Sequence, residues 1–136
     1  MKIYFAGSIR GGRNDQEIYF KIIDLLKNYG EVLTEHIGLK TLESSGETKT
    51  NKFIFDRDVT WIKQADIIIA EVSTPSLGVG YELGISEYLN KKVICLFRPE
   101  EGKKLSAMAA GNKKFIIKEY KKVSDIKIIF DEIFAK

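Results

Sequence analysis

Two carboxylates in this 136-residue chain are placed where they could do chemistry. Glu82 lies in "PSLGVGYELG", just past glycines that read as a loop running into a helix, a place where backbone N–H groups hold a phosphate. Asp58 lies in "FDRDVTW", on a segment of helical spacing. Each has an ordinary role when taken alone. Glu82 could complement a helix dipole, and Asp58 could be a solvated acid on a helix whose other face is apolar. Brought to one pocket, two such groups can divide into a nucleophile and a general acid, as glycosidase carboxylates do. A carboxylate beside a phosphate is costly unless something between them becomes positive during the reaction. The anomeric carbon of a sugar phosphate does so, as an oxocarbenium-like centre. The phosphate would anchor one end of the sugar while Glu82 attacks or stabilises the other.

Two loops supply candidate phosphate donors. In "AGSIRGGR", Ser8 offers a hydroxyl, Arg10 a fork of N–H donors, and Gly11 and Gly12 a close backbone approach. No Gly-Lys-Ser/Thr follows, so this is not a Walker A loop, and it is not GxGxxG either. The second set is Ser76, the N–H groups of Gly78 and Gly80, and the start of a helix. Either loop alone also reads as a plain turn; together they make a much better anion site.

The elements that must position these residues alternate along the chain. "KIYFAG" reads as a strand, and residues 15–29 as a helix stopped by Gly30. "EVLTEH" reads as a second strand and 38–49 as loop. A helix is predicted over 51–64, with Phe53, Ile54, Val59, Trp61 and Ile62 as its apolar members, followed by the buried strand "ADIIIAEV". The glycine loop leads into a helix through Leu89, then come strands "KVICLF" and "KKFIIKEY". "SDIKIIFDEIFA" closes the chain as a helix with Ser124 or Asp125 near its cap. This pattern predicts one α/β domain over 1–136: a flavodoxin-like or Rossmann-like parallel sheet of five strands, order 2-1-3-4-5, with helices on both faces. Ligands bind such sheets beyond the carboxyl ends of the strands, where the order reverses. The two donor loops should face each other there.

Composition narrows the class. Twenty-two basic and 19 acidic residues give a net charge of +3, too balanced for a nucleic-acid binder. Cys95 is the only cysteine and sits in an apolar run, which excludes an internal disulfide. One Cys and one His, His36, are too few for a structural zinc site. No apolar stretch reaches the length of a membrane span, and the N-terminal run is too short for a signal peptide. A cytoplasmic protein is expected, with no membrane or nucleic-acid partner.

"YFAGSIRGGR", "DVTWIKQADIIIAEVSTPSLGVGYELG" and "CLFRPEEGKKLSAM" closely resemble the 2'-deoxynucleoside 5'-monophosphate N-glycosidases, a branch of the nucleoside 2-deoxyribosyltransferase superfamily. The likeness runs from residue 2 to about residue 110 with its spacing kept. It implies hydrolysis of a deoxynucleoside monophosphate to free base and 2-deoxyribose 5-phosphate, without metal or cofactor. By the matching motifs, Glu82 is the nucleophile of a covalent sugar intermediate and Asp58 the acid/base. Tyr4 orients the sugar side. Ser8, Arg10, Ser76 and Gly78 contact the phosphate, Ile9 and Gly11 belong to the substrate-binding set, and His36 lies near the base. Ser106 matches a phosphate-binding serine given by the neighbouring subunit, which implies a homodimer. Loop 38–52 and the tail after Lys113 follow no matching pattern, so the base preference stays open. So do a ribonucleotide hydrolase, a deoxyribosyltransferase and a nucleotide-sensing module without turnover.

Overall fold

The computed structural model describes residues 1–9, 15–38 and 47–135. Strand β1 (Lys2–Ala6) is followed by α1 (Gln16–Leu26), β2 (Glu31–Val32), a single 3-10 turn (Glu35–Gly38), α2 (Asn51–Gln64) and β3 (Ile67–Glu71). Then come α3 (Leu77–Tyr88), β4 (Lys92–Phe97), α4 (Ala107–Ala110), β5 (Phe115–Glu119) and α5 (Val123–Ile133). All four strand pairings are parallel and the order is 2-1-3-4-5, as the alternation of the sequence predicted.

Period-2 alternation along β1 explains how one strand feeds two cores. Ile3 and Phe5 point to the side covered by α1 and α5, where Tyr19, Ile22, Leu26, Ile126 and Phe130 are buried. Tyr4 and Ala6 point to the opposite side, packed with Ile62 of α2 and Val79 and Leu83 of α3. Central β3 is buried at every position because helices cover both its faces.

One local expectation needs correction. The second strand stops after two residues instead of running to His36. Thr34 replaces the ladder there: its Oγ1 accepts the Phe5 N–H at 2.8 Å and donates to the Phe5 carbonyl at 2.6 Å. The chain then turns away from the sheet and carries His36 into the 3-10 turn. In α2, which spans the predicted residues, Ile62 is buried but Phe53 is about half exposed. The closing helix starts at Val123 with Lys122 as its cap, and Asp125 lies near that cap as expected, accepting the N–H groups of Lys121 and Lys122 at 3.0 and 3.1 Å. Helix α4, one short turn capped by Ser106, was not foreseen. Most of the predicted 38–49 loop lies outside the described residues.

Candidate active site

Strand β1 pairs with β2 on one side and β3 on the other, so the strand order reverses beside β1 and β3. Past their carboxyl ends lies a cavity of about 320 Å³. Asn51, Ile54, Phe55, Asp58, Val59 and Ile62 form one of its walls. These recur at helical intervals along α2, and the stripe that packs Ile62 into the core also turns Asp58 inward. Gly78, Glu82 and Ile85 of α3 form the facing wall by the same spacing. Gly7 and Ile9 come from the end of β1, and Ser76 from the start of α3. The cavity therefore brings Asp58 and Glu82 together beneath the N-terminus of a helix.

Two glycines at the site exist for different reasons. A Cβ on Gly7 would meet the Tyr19 ring at 3.0 Å, so that position is closed by packing. A Cβ on Gly78 would find nothing nearer than Ser76 Oγ at 3.9 Å. Nothing within the fold demands glycine at 78, whereas close approach by a ligand would. Ser76 caps α3, its Oγ accepting the Val79 N–H at 3.3 Å, and Ser86 Oγ donates to the Glu82 carbonyl at 2.7 Å.

The electrostatics separate the two acids from ordinary surface carboxylates. Burial, then the nearby Asp58 charge, pushes the Glu82 carboxyl up to about 8. Tyr4 is fully buried and faces Glu82; its hydroxyl favours the Glu82 charge but makes no hydrogen bond of normal geometry. Burial and the two carboxylates raise the Tyr4 hydroxyl far above its ordinary value, so it stays protonated. The Asp58 carboxyl is also raised, by burial and by Glu47, with Arg57 opposing.

Glu47 and Arg57 are the charged residues the sequence reading missed. Arg57 donates to Glu47 Oε1 at 2.6 Å and Oε2 at 2.7 Å, and to Asp58 Oδ1 at 2.9 Å. Its guanidinium lies 4.8 Å from the Trp61 ring centre. The Arg57-to-Trp61 spacing of four residues in "RDVTW" was the available signal. Glu47, in polar loop sequence, offered none. His36 touches this group: its Nε2 is 3.3 Å from Glu47 Oε2 and from Arg57 Nη2, and its ring packs 5.8 Å from Trp61. Burial lowers the His36 pKa, so the ring is neutral at pH 7.

The remaining predicted residues are placed less simply. Ser8 is fully buried, its N–H held by the Tyr19 hydroxyl at 3.1 Å and its Oγ without a hydrogen-bond partner among the described residues. Arg10 and Gly11 lie outside the described residues. Ser106 lines a separate groove of about 600 Å³ on the other flank of α3, so one copy of the chain does not bring it to Glu82. Ser76 lines both spaces. At the rim, the half-exposed rings of Phe55 and Tyr81 stand 6.4 Å apart.

Comparison with known proteins matches the same span. The profile described as nucleoside 2-deoxyribosyltransferase covers residues 3–115. A protein of Tetraodon nigroviridis named 5-hydroxymethyl-dUMP N-hydrolase is 46% identical over 99% of this chain and 98% of its own length. A human protein of the same name is 43% identical over 97% of this chain and 78% of its own. Among solved structures, a Clostridium botulinum CMP N-glycosidase superposes with a TM-score of 0.69. It is 19% identical, with 98% of this chain and 99% of that one covered, a likeness of fold. The chain belongs to the nucleoside 2-deoxyribosyltransferase family.

Proposed function

We propose that this protein hydrolyses the N-glycosidic bond of 2'-deoxynucleoside 5'-monophosphates, releasing free base and 2-deoxyribose 5-phosphate. The observation that carries the reading is the cavity in which Asp58 and Glu82 face the N-terminus of α3. The named N-hydrolases at more than 40% identity point to the same reaction.

A Glu82 oxygen attacks C1' of the sugar, and the C1'–N bond breaks with its electron pair leaving on the base. Asp58 gives that base a proton. Asp58 then takes a proton from water, which attacks C1' and releases Glu82 as carboxylate. Burial makes the empty site a poor host for the Glu82 charge, so its ionised form gains most when positive charge develops at C1'. Tyr4, protonated and aimed at Glu82, orients that carboxylate. Phosphate is held by Ile9, Ser76 and Gly78 at the cavity edge, with Ser8, Arg10 and Gly11 from the β1–α1 connection. The Phe55 and Tyr81 rings offer apolar faces to a base, and His36 touches Glu47, which lines the cavity.

Ser106 completes the phosphate site from a second copy in a homodimer. The position of Ser106 in a groove apart from Glu82 supports sharing, as do Leu77, Tyr88 and Met108, each more than 80% exposed. The reaction is assigned to the cytoplasm, in keeping with a single, buried, unpaired Cys95.

The test is to incubate the protein with each deoxynucleoside monophosphate, its nucleoside and its ribonucleotide, and chromatograph for free base. Release from the deoxymonophosphates alone is expected. Equal release from nucleosides would remove the phosphate from the reading, and release from ribonucleotides alone would move it to the ribo branch. Binding without release would make the protein a sensor.

A further inference from the structure

Asp58 has a chemical difficulty that the rest of the site must solve. An acid that protonates a departing base has to hold its proton until the bond breaks, yet its sequence neighbour is an arginine. A guanidinium free to bind an adjacent carboxylate with both prongs would keep that carboxylate ionised. Arg57 reaches only one oxygen of Asp58, Oδ1, with Nε and Nη2 both at 2.9 Å. Its two terminal nitrogens also clasp Glu47, one to each carboxylate oxygen, at 2.6 and 2.7 Å. All three side chains are less than 20% exposed, so water does little to screen the competition. Trp61 and Phe53 flank the guanidinium, at 4.8 and 5.7 Å from their ring centres, which holds it in the plane that serves Glu47.

We propose that Glu47 is a positioning residue for the reaction: by occupying the fork of Arg57 it leaves Asp58 able to carry the proton that the departing base requires. The catalytic half of this inference rests on Asp58 being the acid, as proposed above; the electrostatic half does not. The groups facing Asp58 all fit the arrangement. Arg57 from its own helix is neutralised by Glu47, and His36 from the 3-10 turn is neutral because it is buried. Glu82 from α3 adds negative charge when ionised, and Tyr4 from β1 stays protonated. Glu47 itself is held ionised, chiefly by its hydrogen bonds to Arg57. Glu47 also lines the cavity, so substrate would close over a pair already formed.

The two partners of the pair should move Asp58 in opposite directions, which a merely structural bridge would not do. In Glu47→Gln the fork is released toward Asp58 and a negative charge is lost, so the Asp58 carboxyl should titrate lower by about one pH unit or more. In Arg57→Gln the cation is gone, and Asp58 should titrate higher than in the unmodified protein. Carboxyl carbon NMR of aspartate-labelled protein reads both, with the Asp58 signal assigned by its loss in Asp58→Asn. With the best deoxymonophosphate, Glu47→Gln should lower kcat about tenfold or more while KM changes less than about threefold. Glu47→Gln with Arg57→Gln should recover most of that loss. An unmoved Asp58 titration, or shifts of the same sign in both variants, overturns the inference. So does a loss of kcat that the double variant fails to restore. If the unmodified protein releases no base from any nucleotide, the proposed function fails, while the NMR titration still decides whether Glu47 governs Asp58.

Discussion

The carboxyl end of the sheet carries two charged clusters, and their acids are partnered to different degrees. On the β4–β5 side, Asp15 at the start of α1 receives Arg98 Nη2 at 2.7 Å and the Thr74 hydroxyl at 2.8 Å, while Arg98 Nε reaches Glu100 at 2.6 Å. Beside it, Glu71 accepts the Ser73 N–H and hydroxyl at 2.7 and 3.0 Å, and the Tyr120 hydroxyl, yet burial still leaves its carboxyl raised. Burial pushes the Asp15 carboxyl up, but the Arg98 and Thr74 hydrogen bonds outweigh it and hold it below its ordinary value. On the β1–α2–α3 side, Glu82 and Asp58 are half-buried and less fully partnered, and both are pushed up. One cluster spends its charges on holding α1, the β3–α3 connection and β4 together. The other keeps two carboxylates away from full compensation, a state that costs stability and suits reaction.

Removing the attacking group should have the largest effect on either side. Glu82→Gln keeps the shape of the side chain but has no carboxylate to bond C1', and kcat should fall by at least about 10³-fold. Measured by base release, a loss below tenfold would demote Glu82 to a helix acid that merely complements the α3 dipole.

The opposite cluster should fail by unfolding. Asp15→Ala leaves the Arg98 guanidinium, which is 13% exposed, with only the more exposed Glu100 as its ionic partner, and should cost about 3 kcal/mol, seen as a fall in Tm of roughly 10 °C. Arg98→Ala should cost a similar amount, and the double variant less than the sum, because the first change already breaks the pair. Thermal melts of the three variants settle this. Additive losses would mean that the two side chains act separately.

The difference between the clusters also separates what could be read in the sequence from what could not. Sheet order, the extent of α2, and the meeting of the loops after β1 and β3 followed from apolar periodicity and the rule for open parallel sheets. Asp58 and Glu82 were legible because each sits on a helix beside a recognisable pattern. The partners of these acids were not. Arg98 reaches Asp15 across 83 residues, and Arg57 on α2 reaches Glu47 across ten, separations that no period in the sequence marks. Strand β2 was overestimated for a related reason: Thr34 looks like a strand residue, and only its two bonds to Phe5 reveal that it ends the strand. Apolar burial leaves a repeating signature in a sequence; a side chain pairing with one distant partner does not.

The smallest effect is the sharpest test of the contrast, because a cavity acid should destabilise the fold where Asp15 supports it. The Glu82 carboxyl titrates at about 8 in the folded protein and near its ordinary value in the unfolded chain. Between those values the fold binds a proton that the unfolded chain has released. The contribution of Glu82 to stability therefore falls as pH rises through this window, and is constant above it. Glu82→Gln removes that dependence. With its side chain half-buried and open to the cavity, the gain should be about 1–2 kcal/mol at pH 8.5, a Tm higher by roughly 3–6 °C, and near zero at pH 5. Paired melts at the two pH values measure it. A variant less stable than the parent at pH 8.5 would mean that the Glu82 charge is well compensated, and that the two clusters follow one rule after all.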